Sequence, residues 1–149
     1  MKKIILLFLI VIWMFIIFMF SNEPAVESTN SSGGIIDVVI DFYEKISSKN
    51  LSVEKKQLLS EKLQFPIRKS AHLTIYLILG IIVYLLFLEL NYSEKYLLSI
   101  LICLIYAISD EIHQMFVVGR SGEIRDVLID IFGSFIGIFI IKRLKELKK

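Results

Sequence analysis

Six ionisable side chains stand at the ends of long apolar stretches of this sequence, where charge is costly. A charged group at the centre of a bilayer costs on the order of 3 kcal/mol even on a lenient insertion scale. The order of the stretches along the chain puts all six groups at one membrane face. We therefore interpret them as a polar site formed by His72, Asp110, Glu111, His113, Asp126 and Asp130.

Carboxylates beside imidazoles support two kinds of chemistry. They bind a hard metal ion, or a histidine acts as general base or nucleophile while the acids orient it. The candidate catalytic residues are His72, Asp110, Glu111 and Asp130. Guanidinium groups make two-point contacts with phosphate or carboxylate. The candidate ligand-binding residues are these cations and their polar neighbours, namely Arg68, Tyr76, His113, Gln114, Arg120, Arg125 and Asp126.

A structural alternative explains the same residues without a ligand. Ion pairs between helices hold membrane bundles together, so Arg120 and Arg125 could simply neutralise the acids in a salt-bridge network. Asp126 is also well placed as the N-terminal cap of the last helix. Asp130 lies one turn deeper, where capping does not explain a carboxylate, and is therefore the best single candidate for function.

The elements that position these groups are predicted to be membrane-spanning helices. Of the 149 residues, 56% are hydrophobic, against about 45–50% in a soluble domain, which indicates one membrane domain over residues 1–149. A helix needs about 20 residues to cross the hydrocarbon. Four apolar runs predict an all-α membrane protein with four transmembrane helices, at residues 4–20, 70–88, 96–110 and 127–141. The net charge of +2 is too small to indicate a nucleic-acid partner.

The first apolar run could also be a secretory signal, because Lys2 and Lys3 precede it. It is longer than the apolar part of most signals, and no small-residue cleavage site follows. We therefore interpret it as an uncleaved span. Basic clusters beside both chain ends favour cytoplasmic termini, which puts the polar groups at the outer face of the cell membrane.

An extracytoplasmic loop at residues 21–69 is predicted to join the first two spans. Its beginning is rich in Ser, Asn and Gly, which indicates irregular structure. Apolar residues at helical spacing predict a helix over residues 35–46, and Ser52 predicts the start of a second helix that ends before Pro66. The two helices either lie flat on the membrane and cover the polar groups, or form a plain surface hairpin.

Residues three or four positions apart share one face of a helix, which arranges the polar groups of the last three spans in stripes. The stripes consist, in chain order, of Arg68, His72, Tyr76 and Gly80, of Tyr106, Asp110, His113 and Gln114, and of Asp126, Asp130, Gly133 and Gly137. Glu111 is predicted to turn aside. The spacing of Gly133 and Gly137 predicts close approach of a neighbouring helix. Gly119 and Gly122 predict tight turns in the last loop.

Four segments resemble the VanZ-like family of bacterial membrane proteins. They are FSNEP at residues 20–24, RKSAHLTIY at 68–76, SDEIHQ at 109–114, and the stretch from Gly119 through Asp126, Asp130, Gly133 and Gly137. Each is a weak signal alone, but together, in this order and at these distances, they are specific. The resemblance covers most of the chain. It implies a multi-span envelope protein associated with resistance to glycopeptide antibiotics such as teicoplanin, and it implies no settled biochemical activity.

These observations favour a protein that binds or modifies an envelope lipid or cell-wall precursor at an outer polar site, with the lipid bilayer as its surroundings. The alternative is a membrane-embedded enzyme for phosphoryl or acyl transfer on a lipid head group, although no nucleotide-binding loop or zinc-protease motif is present. A third possibility is a purely structural protein whose polar groups form internal salt bridges. Metal binding, cofactors and oligomeric state stay open from the sequence.

Overall fold

The computed structural model describes residues 1–48 and 50–147, and for residues 25–31 it describes the backbone alone. The described residues form five helices and no strand: α1 (Lys2–Ser21), α2 (Ala25–Ser47), α3 (Val53–Leu90), α4 (Lys95–Gln114) and α5 (Ile124–Glu146). The prediction of an all-α protein is therefore confirmed. Within these residues, three helices are long and apolar enough to cross a membrane, namely α1, α3 and α4.

The helix α5 contains the fourth predicted span, but its apolar part carries too many charges to qualify on length and composition. Two of these charges, Asp126 and Asp130, are 7% and 0% exposed, so they face other helices of the bundle. That burial removes the main objection to a span, because polar groups within a bilayer face the bundle interior. A crossing by α5, and hence the total of four spans, stays a prediction.

The helices α3 and α5 lie side by side and run in the same direction. Lys69 of α3 contacts Asp126 in the first turn of α5, and one turn further along both helices His72 lies beside Asp130. Because the pairing keeps its register, residues at equal depth on the two helices face each other. This register explains why two polar stripes that are separated by more than 50 residues of sequence coincide.

Two glycines of α5 allow this close approach. A Cβ atom on Gly133 would fall on the carbonyl oxygen of Leu73, and one on Gly137 would fall on the carbonyl oxygen of Leu77. Any other residue at either position would force the two backbones apart. The close approach that the spacing of these glycines predicted is confirmed.

The bundle that α1, α4, α5 and the part of α3 after Pro66 form has two ends. At one end Lys2, Leu88 and Lys145 line the same shallow pocket, which brings the beginning of α1 beside the ends of α3 and α5. At the other end, which we name the mouth, Gln114 of α4 donates a 3.3 Å hydrogen bond to Ser21 of α1. Each of these four helices therefore runs in the opposite direction to the one before it, with α2 inserted between α1 and α3.

The helix α3 is continuous through Pro66, so the prediction of a separate loop helix that ends before this residue is wrong. Proline in a helix interior removes a hydrogen bond and costs about 3 kcal/mol. The helix packs against α2 before Pro66 and against α5 after it, which stabilises it on both sides. The predicted start is confirmed, because Ser52 is the N-cap residue. At 38 residues the helix is roughly 57 Å long, about twice the hydrocarbon thickness.

The helix α2 includes the predicted helix at 35–46 but begins ten residues earlier, at Ala25, so the predicted irregular segment is wrong there. Ile36 and Ile40 are buried, on the helix that packs against α3. A second apolar stripe, formed by Val38, Phe42 and Ile46, is 64–70% exposed. This stripe has the composition expected of a helix that lies on a membrane surface, which stays a prediction.

Candidate functional site

His72 and Asp130 meet at the centre of the mouth. The Nδ1 atom of His72 is 3.3 Å from Oδ1 of Asp130, and the two residues are 8% and 0% exposed. Glu111 completes the group, since His72, Glu111 and Asp130 each offer one ligand-type atom within 4.8 Å of the others. These three residues, which we name the buried triad, could hold a metal ion.

The burial of Glu111 corrects the prediction that this residue turns aside. Glu111 is 5% exposed, and its Oε2 atom accepts a 2.9 Å hydrogen bond from the backbone N–H of Glu123. The end of α4 lies beside both α3 and α5, because Glu111 is within 4.8 Å of ligand-type atoms of His72 and Asp130. Two adjacent residues there are consequently both enclosed, with Asp110 bonded to Tyr76 of α3 and Glu111 bonded to the residue that precedes α5.

Two carboxylate oxygens of the buried triad have no hydrogen-bond partner among the described residues. They are Oε1 of Glu111 and Oδ2 of Asp130, and both are inaccessible to solvent. An unsatisfied buried polar group costs about 1–3 kcal/mol, and more when it is charged. Native proteins contain few such groups, so each one requires an explanation.

Asp110 belongs to a separate hydrogen-bonded group beside the triad. The hydroxyl of Tyr76 donates to Oδ2 of Asp110 at 3.3 Å, and Nε2 of Gln114 approaches the same oxygen at 3.4 Å. Tyr76 is fully buried, and Gln114 also donates to Ser21. These contacts orient Asp110 from two helices and leave α1 bound to the end of α4.

Asp126 forms an ion pair, which corrects its predicted role as a helix cap. The N-cap residue of α5 is Glu123, which makes no side-chain capping bond, and Asp126 lies in the first turn. Its Oδ1 atom accepts a hydrogen bond from Nζ of Lys69, and both side chains are 10% exposed. Sequence reasoning missed Lys69. Its position three residues before His72, on the same helix face, was the available signal.

Arg120 connects the last loop to two helix ends. Its Nε atom donates to the carbonyl of Glu23 at 2.8 Å, one terminal nitrogen donates to Oε1 of Gln114 at 3.2 Å, and the other donates to the carbonyl of Phe20 at 3.3 Å. Burial lowers the pKa of the Arg120 guanidinium, and the positive charge of Arg68 lowers this pKa further. Two guanidinium groups therefore lie close enough at the mouth to repel each other.

Both glycines of the last loop are required by the structure, but only Gly119 for the predicted reason, a backbone turn that other residues rarely adopt. Gly119 has a φ of 75°, in the left-handed region that favours glycine. Gly122 packs tightly, since a Cβ atom there would lie 2.7 Å from Cγ of Met115 and 3.0 Å from the carbonyl oxygen of Glu111. The loop thus holds Arg120 over the mouth and presses against the end of α4.

Two cavities lie beside the buried triad. The larger, which we name the mouth cavity, has a volume of about 260 Å³ and an apolar wall that includes Phe20, Ile35, Ile67, Ala71 and Ile75. The smaller is a polar pocket of about 60 Å³ under the last loop. Three residues line both cavities, and they are Arg68, His72 and Arg120.

Two of the predicted ligand-binding residues lie elsewhere. The ring of His113 packs against Phe18 of α1, with ring centroids 4.5 Å apart. Arg125 is exposed and is not among the residues that line the mouth cavity or the polar pocket. The structure therefore brings together the predicted site residues other than His113 of α4 and Arg125 of α5, and their roles in binding or catalysis stay predictions.

Long apolar helices that enclose a buried polar cluster at one end indicate a membrane protein of the multi-span class. Within that class the particular family follows from the sequence as a whole. The family model VanZ/LLP1 matches residues 6–145, and the chain belongs to this family, as the resemblance of its four segments predicted. No curated protein and no solved structure matches the chain.

Proposed function

We propose that this protein binds an envelope lipid or lipid-linked cell-wall precursor through its phosphate, at the mouth cavity. The observation that carries the proposal is the composition of this cavity. One wall is apolar. The other presents His72 and the two neighbouring guanidinium groups of Arg68 and Arg120, and these two cations outnumber the one carboxylate of the lining, that of Glu23. An amphipathic anion satisfies both walls at once, whereas a purely polar or purely apolar ligand satisfies one.

Arg68 is the cation available to such a ligand. It is half-buried, and it makes no ion pair or hydrogen bond within the described part of the chain. Arg120, by contrast, uses three of its donors to bind Glu23, Phe20 and Gln114. A phosphate between the two guanidinium groups would relieve their repulsion and accept two-point hydrogen bonds, which are the strong ones.

The apolar wall supports entry of the ligand from the membrane. Phe20 and Ile35 at the cavity rim are 53% and 55% exposed, and Ala71 beside them is exposed too. The volume of about 260 Å³ is slightly below the range of about 300–1,000 Å³ that is usual for small-molecule sites. The cavity therefore suits a head group, with the lipid chain lying along the exposed apolar rim.

With cytoplasmic termini, as the basic clusters favour, the mouth opens at the outer face of the cell membrane. An envelope lipid phosphate is then within reach of the cavity. The glycopeptide resistance that the family resemblance implies would follow from capture or modification of such a component. The exposed stripe of α2 would keep that helix at the membrane surface, beside the rim of the cavity.

A labelling experiment tests the proposal. The protein is reconstituted in phosphatidylcholine nanodiscs and labelled with a photoreactive polyprenyl phosphate, with the corresponding polyprenol as the phosphate-free comparison. Loss of a hydrogen bond to a charged group costs about 1.5–3 kcal/mol. We therefore expect Arg68→Gln to weaken labelling by the phosphate about tenfold or more and to leave labelling by the polyprenol unchanged.

The matched control is Arg125→Gln, which removes the same charge from an exposed residue outside both cavities. We expect this variant to be labelled like the wild type. Equal labelling of Arg68→Gln, Arg125→Gln and the wild type would overturn the proposal. Equal loss in both variants would show that general positive charge, rather than the mouth cavity, attracts the probe.

A second candidate function is a membrane-embedded enzyme for phosphoryl or acyl transfer on a lipid head group. The observation that favours it is the pair of unsatisfied carboxylate oxygens beside His72, which lines the mouth cavity. His72 would serve as base or nucleophile, oriented by Asp130. Incubation with radiolabelled envelope lipids distinguishes the two, since turnover that is lost in His72→Gln requires an enzyme.

A further inference from the structure

We propose that the buried triad of His72, Glu111 and Asp130 is a binding site for one divalent metal ion of the Mn²⁺ or Zn²⁺ class. Each residue offers one ligand-type atom within 4.8 Å of the other two, and all three side chains are buried. The ion would lie between α3, α4 and α5 at the inner side of the mouth cavity. This inference does not depend on the proposed lipid ligand.

The geometry of the His72–Asp130 pair fits two ligands of one ion. Their 3.3 Å separation is longer than the 2.7–2.9 Å that is typical of a charge-assisted hydrogen bond, by roughly 0.4–0.6 Å. Two ligand atoms bound tetrahedrally to one ion at about 2.1 Å lie about 3.4 Å apart. The pair therefore has the spacing of two corners of a coordination shell.

The unsatisfied oxygens are the second and independent observation. Oε1 of Glu111 and Oδ2 of Asp130 are buried and lack partners within the described residues. Glu111 is 5% exposed and Asp130 is 0% exposed, so water does not reach them from the surface. A cation between these carboxylates would satisfy oxygens that the protein itself leaves without donors.

The charges of the surrounding groups point to the same ion. Of the neighbouring acids, Asp126 already has Lys69 as its cation, and Asp110 accepts hydrogen bonds from Tyr76 and Gln114. Among the described residues near the mouth, the carboxylates that have no lysine or arginine partner and keep an unsatisfied oxygen are the two of the buried triad. A metal-bound histidine is neutral, so one divalent ion balances the two carboxylates of the site.

The donor set selects the class of ion. Mg²⁺ and Ca²⁺ prefer shells of oxygen atoms, whereas a mixture of imidazole nitrogen and carboxylate oxygen suits Mn²⁺ and Zn²⁺. Ligand atoms in a tetrahedral shell lie about 3.4 Å apart, and those of the triad lie within 4.8 Å of one another, so the side chains must move together by up to about 1.4 Å when the ion binds. His72 also lines the mouth cavity, which gives the ion a path to the site.

The test uses the full chain in lipid-free detergent after removal of metals with a chelator. Mn²⁺ is titrated and its binding is followed by the loss of the free-ion EPR signal, with Zn²⁺ and Mg²⁺ as competitors. We expect about one Mn²⁺ per chain, displaced by Zn²⁺ and not by Mg²⁺.

Loss even of a group that only supports a ligand weakens metal binding about 10–100-fold. Glu111→Gln and Asp130→Asn should therefore weaken it more than about 100-fold, and the exposed control Asp37→Asn should not.

Thermal unfolding of the same samples separates a metal site from a structural ion pair. If the triad binds metal, Asp130→Asn raises the Tm of the metal-free protein, because it removes an uncompensated charge, and abolishes the increase in Tm that Mn²⁺ produces. If His72 and Asp130 form a plain ion pair, Asp130→Asn lowers the Tm of the metal-free protein, and the proposal fails. Absence of Mn²⁺ and Zn²⁺ binding by the wild type, or equal binding by all variants, would also overturn it. None of these readings involves lipid, so this proposal and the proposed function fail separately.

Discussion

Replacement of Gly133 by alanine should separate α3 from α5 and disrupt the mouth at the same time. The added methyl group would fall on the carbonyl oxygen of Leu73, a backbone atom that no side-chain rotation can move aside. The two helices must then move apart by roughly 1 Å to restore van der Waals contact. Because their register also sets the His72–Asp130 distance, the effect reaches the buried triad one turn away.

The structure allows the size of this effect to be worked out. A gap of about 1 Å forfeits up to half of the dispersion attraction at the seam, and overpacking of a core position typically costs about 1–3 kcal/mol. The separation also stretches the 3.1 Å hydrogen bond from the hydroxyl of Ser134 to the carbonyl of Tyr76, which contributes about 1 kcal/mol. We expect a loss of about 2–4 kcal/mol in the free energy of unfolding.

The assay is reversible unfolding in mixed micelles with increasing SDS, followed by far-UV circular dichroism. The matched control is Gly34→Ala in α2, where an added Cβ atom meets nothing within 4 Å. At such an open helical position alanine is favoured over glycine by about 1 kcal/mol. The same substitution should therefore destabilise the protein at position 133 and be neutral or stabilising at position 34.

A Gly133→Ala variant with unchanged stability would refute the reasoning. It would mean that α3 and α5 are not in backbone contact, and the register that brings His72 to Asp130 would be wrong as well. A gain of stability in both alanine variants would instead indicate that the assay reports local helix content rather than packing.

Two further predictions concern ion pairs inside and outside the bundle. Lys69→Met should lower the free energy of unfolding by about 3–5 kcal/mol, because it leaves Asp126 as an unpaired buried charge. Addition of Asp126→Leu should recover most of the loss. A double variant as unstable as the single one would contradict this explanation. The hydrogen bond from Lys56 lowers the pKa of Glu44 below its ordinary value of 4.5, and Glu44 also accepts a 2.6 Å bond from the backbone N–H of Leu51. A carboxyl group whose pKa is lowered in the folded protein stabilises the fold at pH values above its ordinary pKa. This stabilisation is lost as the pH falls through the lowered pKa. In the wild type, the protection of the Leu51 amide from hydrogen exchange should thus decrease as the pH is lowered. In Glu44→Gln the protection should be low at every pH. Equal protection in the two proteins would exclude the contact.

The helices and the polar pair at the centre of the site could be predicted from the sequence, because local patterns determine them. The apolar runs indicate which segments are helical, and four-residue spacing puts His72 and Asp130 each on a polar face. Gly133 and Gly137 indicate where a neighbouring backbone can approach. These signals are properties of single segments, and they combine correctly because consecutive spans reverse direction.

The features that could not be predicted depend on contacts between distant segments. Pro66 ordinarily ends a helix, and only the packing of α3 against α2 and α5 keeps the helix continuous. Glu111 lies off the polar stripe of α4, and it is buried because the loop before α5 crosses the end of α4. Asp126 resembles a capping residue until Lys69, from another helix, reaches it. The spacing of residues along one helix does not show which other segments cover the end of that helix.

Because α3 is continuous, it connects the α2–α3 hairpin directly to the polar groups of the site. Its first four turns lie beside α2, beyond the predicted span, and its next turns carry Arg68 and His72 into the bundle. The unbroken helix couples the tilt of its first turns to the positions of these two residues, and the close contact with Gly133 and Gly137 of α5 lies just below His72. Force applied to the α2–α3 hairpin, for example by a partner or by a change in membrane tension, would therefore change the spacing of the polar groups directly.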